Sequence, residues 1–212
     1  MYRAAMGTHV VDHPIASERL TRMRMRETQR AEFRSCLNEL SRFVIYEALR
    51  SLEVTAIDID TPLEPTTGSA ITESPLLVPV MRAGLGMLDA AQELLPDARV
   101  GFLGLKRDED TLLPHSYVNT VPNDLDGKST LILDPMLATG GSLIHTCGLL
   151  REANAGTIKV ACLLAAPEGV EALASAHPDV DCWTAAVDEQ LSEVGFIRPG
   201  LGDAGDRQFG LA

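Results

Sequence analysis

The sequence is poor in aromatic residues, which make up 4% of its 212 positions, so its core has to be built from Leu, Val, Ile and Ala. It also lacks paired cysteines. Cys36, Cys147, Cys162 and Cys182 are scattered, with no C-x-x-C among them, which removes a zinc ribbon or a dithiol redox centre. Four buried free thiols are the expectation. The five histidines, His9, His13, His115, His145 and His177, have no metal-ligand spacing. A positive balance is missing as well: the net charge of −12 disfavours coating a phosphate backbone, so no nucleic-acid partner is expected. No stretch approaches about 18 unbroken apolar residues, and the start has no apolar leader, so the reading is a cytoplasmic chain with no membrane span. There is no G-x-S-x-G, and no Gly-Lys-Ser/Thr of a nucleoside triphosphatase loop.

What is present reads as one α/β domain over residues 1–212, with 45% apolar and 23% charged residues. Residues 1–12 read as a loose arm. A short helix is expected over Pro14–Arg26 and a longer one over Arg30–Leu52, where Phe33, Leu37, Leu40, Val44, Ala48 and Leu52 form an apolar stripe. The basic run Arg19 to Arg30 reads as the solvated face of these helices. Val54–Ile59 alternates like an outer strand, and Thr61–Ser69 reads as a loop. Strands over Leu76–Met81, Val100–Leu105, Leu131–Leu133, Ile158–Ala165 and Val180–Ala185 then alternate with helices over Gly84–Leu95, Gly141–Asn154 and Glu168–Ala176. This rhythm predicts an open, mostly parallel sheet with helices on both faces, preceded by an N-terminal helical appendage. Apolar runs without alternation fit strands buried on both sides. Two stretches break the rhythm. Residues 106–129 carry no helix pattern and read as a protruding hairpin or flap. The tail, residues 191–212, is too glycine-rich to read as helix.

Open α/β sheets bind ligands beyond the carboxyl ends of their strands, so chemistry is sought there. After Leu133 the chain runs Asp134-Pro135-Met136-Leu137-Ala138-Thr139-Gly140-Gly141-Ser142 into a helix. Glycines let the backbone approach an anion, Thr139 and Ser142 offer hydroxyls, and a helix start presents unpaired N–H groups. Asp134 is placed to hold sugar hydroxyls. The bland alternative is a strand-to-helix turn capped by Ser142. After Met81, Arg82-Ala83-Gly84-Leu85-Gly86 sets one guanidinium, a bidentate phosphate partner, beside a small-residue turn; a surface Arg before a helix is the alternative. Lys106-Arg107-Asp108-Glu109-Asp110 closes another strand, and spacing alone leaves it a solvated salt-bridge cluster. The tail places Gly195, Gly200, Gly202 and Gly205 within about a dozen residues, a tightly turning loop with accessible backbone.

The run DPMLATGGS resembles the 5-phosphoribosyl diphosphate (PRPP) signature of type I phosphoribosyltransferases, and VMRAGLGM and the tail are similar to the uracil phosphoribosyltransferases in particular. Pro135 stands where most type I members carry a second acid, a departure that the uracil enzymes share. The resemblance runs from about His13 onward and implies transfer of the phosphoribosyl group to uracil, giving UMP and diphosphate. It implies PRPP contacts from Arg82, Arg107, the whole run Asp134 to Ser142, and Asp203. It implies a uracil loop of Ile197, Gly202, Asp203 and Ala204. Arg198 departs from an apolar position of the pattern. Arg107 and Asp203 are the implied catalytic residues, with Asp203 acting either on the metal shell or on uracil. Mg²⁺ is expected to arrive on PRPP, with no protein metal site of its own. The resemblance also implies a flap that excludes water, a homodimer or larger homo-oligomer, and in parts of the family a GTP effector. The 106–129 hairpin, with Leu112, Leu113, Tyr117 and Val118, is the expected dimer arm. A non-catalytic pyrimidine sensor would need a basic surface, which −12 does not supply. Enzymes for other bases carry the two-acid signature that Pro135 breaks.

Overall fold

The computed structural model describes residues 7–107 and 114–210. In chain order its elements are β1 (Thr8–Val10), α1 (Pro14–Arg24), α2 (Arg30–Ala48), β2 (Val54–Asp60), β3 (Pro65–Ile71), β4 (Leu76–Met81), α3 (Leu85–Leu94), β5 (Leu103–Arg107) and β6 (Pro114–Asn119). There follow β7 (Thr130–Leu133), β8 (Met136–Leu137), α4 (Gly141–Glu152), β9 (Ile158–Ala161), β10 (Leu164–Ala165), α5 (Pro167–Ala176), β11 (Asp181–Thr184), β12 (Ala186–Val187), β13 (Gln190–Leu191), β14 (Ile197–Arg198) and α6 (Ala204–Phe209).

Seven strands form the main sheet in the order β1-β11-β9-β7-β4-β5-β6. Every pair in it is parallel except β5 with β6. The central strands β4 and β7 are buried except at Met81, and their side chains alternate between two cores. Leu77, Leu131, Leu133 and Ala161 pack with α1, α2 and α3 on one face. Leu76, Val78, Val80, Ile132 and Val160 pack with α4 and α5 on the other. Each leucine fully buried in this way contributes about 1.5–3 kcal/mol. The stripe on α2 faces the first of these cores: Phe33, Leu37, Leu40, Val44 and Ala48 are all buried. The four cysteines are free and buried, as expected.

The carboxyl ends of β7, β9 and β11 each continue into a second, short parallel sheet, ordered β12-β10-β8. Pro135 ties the two layers together, since its carbonyl accepts the N–H groups of Leu163 at 3.0 Å and Leu164 at 3.1 Å. This small sheet is the floor on which the residues after β7 are laid.

Three sequence expectations are corrected. Residues 8–10 of the supposed loose arm form an edge strand, because β11 offers them an open ladder. Residues 65–69 of the expected loop belong to β3, which pairs along its whole length with β2 in an antiparallel ribbon. That ribbon is exposed on both sides, so β3 never needed the apolar alternation by which strands are recognised. Within the 106–129 stretch, β6 pairs with β5 as the expected antiparallel hairpin and forms the sheet's edge, with Tyr117 inside β6. Gly104 lacks a side chain where the Tyr117 ring lies over it. Leu112 and Leu113 fall outside the described residues. Lastly, the tail contains a helix, α6, whose start is marked by Asp203: its Oδ1 accepts the Asp206 N–H at 2.8 Å.

Candidate active site

Four segments converge at the carboxyl edge of the sheet. The first follows β7. Gly140 takes a left-handed φ of +84° as the N-cap of α4, a conformation that a side chain would strain. Thr139 and Ser142 are exposed beside it. Met136 to Leu143, with Gly195 from the tail, line a pocket of about 150 Å³. Its lining is what an anion needs: small residues, two hydroxyls, and the first N–H groups of a twelve-residue helix. A larger cavity, about 960 Å³, lies between β1 and α2 and is lined by Phe43, Tyr46 and Trp183. It has more room but lacks the glycine turn that brings backbone up to phosphate, so the chemistry is assigned to the smaller pocket.

Asp134, at the head of this segment, is buried, and Met136 N–H is its hydrogen-bond donor at a long 3.4 Å. Burial pushes its carboxyl up to about 7, and the Met136 bond opposes the shift. A carboxyl so poorly provided with donors is poised to take hydroxyl donors from a sugar.

The second segment follows β4. Gly84 sits so close to the Leu133 carbonyl that a Cβ would collide with it, which sets the 82–84 turn directly beside Asp134. Arg82 is half-exposed, with Nη2 3.6 Å from Asp206 Oδ1 of α6. The third is the end of β5, where the Arg107 backbone pairs with Pro114. The Arg107 side chain and residues 108–113 lie outside what is described.

The fourth is the tail. The Ile197 and Ala204 side chains are buried in the core, so these residues meet a ligand only through their backbone. Gly202 has a φ of +80° and is exposed, and Asp203 is exposed with one carboxylate oxygen engaged in capping α6. A network absent from the sequence reading bolts this loop down. Asp188, with a side chain only 6% exposed, receives a bidentate pair from Arg24 at 2.8 and 2.5 Å and the Gly200 N–H at 2.8 Å. Arg24 also donates to the Gly200 carbonyl at 2.8 Å. Arg207 donates to the carbonyls of Met23, Leu201 and Met25, and lies 4.4 Å over the Phe33 ring. Burial lowers the Arg207 pKa. Arg24 is thus no solvated residue, as the basic run had suggested. No sequence signal marks the contacts between α1 and the tail, since those partners stand 164 to 184 residues apart.

A family model described as uracil phosphoribosyltransferase matches residues 10–211. A uracil phosphoribosyltransferase of Paracoccus denitrificans is 50% identical over 202 residues, covering 95% of this chain and 96% of its own. One of Ligilactobacillus salivarius is 46% identical over 202 residues, covering 95% and 97%. The solved structure of the AQ2163 protein from Aquifex aeolicus matches with a TM-score of 0.89 at 35% identity, over 97% of this chain and 99% of that one. An adenine phosphoribosyltransferase from Leishmania donovani, at 12% identity and a TM-score of 0.61 over 92% of this chain and 89% of that one, shares the fold alone. On the match of nearly its whole length, the chain belongs to the uracil phosphoribosyltransferase family.

Proposed function

We propose that this chain transfers the 5-phosphoribosyl group of PRPP to uracil, giving UMP and diphosphate. The observation that carries the proposal is the Gly140 turn, with a phosphate-sized pocket, at the carboxyl edge of a sheet in a member of this family. The Thr139–Ser142 turn holds the 5-phosphate through backbone N–H groups and hydroxyls. Asp134 accepts from the ribose hydroxyls. Arg82 and Arg107 hold the diphosphate. Ile197, Gly202, Asp203 and Ala204 present backbone groups and one carboxylate to uracil, whose carbonyls and N–H form a flat pattern.

A ring nitrogen of uracil displaces diphosphate at the anomeric carbon, and the sugar gains oxocarbenium character as the leaving group departs. Positioning and charge stabilisation then carry the catalysis, with no covalent intermediate on the protein. Mg²⁺ carried on the diphosphate oxygens would neutralise leaving-group charge. The residues fit such a carried ion: Mg²⁺ keeps much of its water and takes substrate phosphates, and asks for few protein oxygens. Asp203 has one oxygen outside the helix cap for that water shell or for uracil. The reading extends to a homodimer or larger homo-oligomer as the active unit, and to GTP as the effector that the family resemblance implies.

The test offers PRPP, Mg²⁺ and each free base in turn, with and without GTP, and measures diphosphate release. Uracil is the expected substrate, with adenine, guanine and orotate poor. Efficient turnover of a purine would overturn the assignment.

A further inference from the structure

The loop that meets uracil and the loop that meets diphosphate share one side chain. Gln208, in α6, is 1% exposed. Its Nε2 donates to the Ala83 carbonyl at 3.1 Å, in the turn that carries Arg82. The same Nε2 donates to the Ala204 carbonyl at 2.9 Å, at the end of the uracil loop. Its Oε1 occupies the space that a Cβ on Gly86 would need. Both amide donors are thus committed, one to each loop, in a place where water cannot replace a lost partner. α6 is fixed at each end as well: Asp203 caps its start, and Arg34 donates to the Gln208 carbonyl at 3.1 Å. The same helix supplies Asp206, which faces Arg82. Drawing Arg82 onto a diphosphate takes it away from Asp206, and any shift of the Arg82–Ala83 backbone reaches Ala204 through one rigid amide.

We infer that Gln208 is a positioning residue that couples the two substrate loops, so that diphosphate at Arg82 tightens uracil binding at residues 202–204. The inference rests on the function proposed above and assigns Gln208 no contact with either substrate.

Calorimetry of uracil binding with and without inorganic pyrophosphate and Mg²⁺ isolates the coupling, because no ribose is present and nothing reacts. In the native protein pyrophosphate should tighten uracil by about five-fold or more. Gln208→Met fills the same volume but donates nothing, and should bring that ratio to about one while pyrophosphate alone still binds. Gly86→Ala, which displaces Oε1 from the other side, should do the same. An undiminished ratio in either folded variant would overturn the inference, as would a ratio of one in the native protein. If neither variant folds, hydrogen exchange on the native protein decides: pyrophosphate alone should slow exchange across residues 200–208, and unchanged exchange there counts against the coupling. A native protein that makes no UMP would sink the function assignment instead, a result that this comparison cannot be confused with.

Discussion

Asp134 is a carboxyl held where its charge is poorly supported, and that has a price in stability as well as a use. Its pKa rises from an ordinary 3.8 to about 7 because burial strips it of water. The folded chain therefore binds this proton more tightly than the unfolded chain. Stability falls as pH climbs from about 4 to about 7 and is flat above, for this group. A shift of roughly three units corresponds to at most about 4 kcal/mol. We expect Asp134→Asn to raise the melting temperature clearly near about pH 8 and hardly at all near about pH 4.5. Calorimetric scans at the two pH values would check it, and an equal gain at both would show that the carboxyl is not the source. The same variant should lose PRPP affinity, a trade of function for stability. At this scale the sequence was legible wherever chemistry was packed into a short run. Asp134 to Ser142 places a strand end, an acid, two hydroxyls and two glycines in nine successive positions. Arg24 and Asp188 were illegible for the opposite reason: each is an ordinary charge until the fold brings them together across 164 residues.

Among the elements, the turn into α4 makes the sharpest claim. Gly140 is a poor place to test it, since its φ of +84° would strain any side chain. Gly141 is better: a Cβ there would meet only the Thr139 hydroxyl, at 3.8 Å. Gly141→Val should therefore fold normally yet fill the anion pocket, weakening PRPP by about tenfold or more, roughly 1.4 kcal/mol or greater. Unchanged PRPP affinity in calorimetry, with a native circular dichroism spectrum, would return the segment to a plain strand-to-helix turn. The buried strands and amphipathic helices were readable because packing imposes periodicity on them. β3 was missed because a ribbon exposed on both sides obeys no such period, and Pro65 and Gly68 look like loop residues. The missed α6 did carry its signal: Asp203 is a standard N-cap residue, outweighed in the reading by the glycines around it.

At the level of the whole molecule, β2 and β3 stand apart from the main sheet as a two-stranded ribbon. Such a ribbon is marginal in water without something to pack against. Val54, Ile57, Ile59 and Ile71 are exposed along it, and Leu63 at its turn is 95% exposed. Ile57 and Ile59 share one face of the ribbon, and we expect that face to join the 106–129 hairpin in forming the homodimer. Light scattering at micromolar concentration should give twice the chain mass. Ile57→Asp with Leu63→Asp should lower it toward one chain, and a native monomer would refute the expectation.

The clasp between Arg24 and Asp188 has a consequence for how the molecule comes into being. Its first half is translated with α1, its second only after every strand of the main sheet. Joining segments so far apart carries the loop-closure penalty that slows late steps of folding. On the ribosome, then, the turn proposed to cradle phosphate is spelled out well before the loop proposed to read the base. A nascent chain passes through a stage at which it owns one half of its reaction and not the other, and Arg24 at the end of α1 waits for Asp188 until the tail emerges.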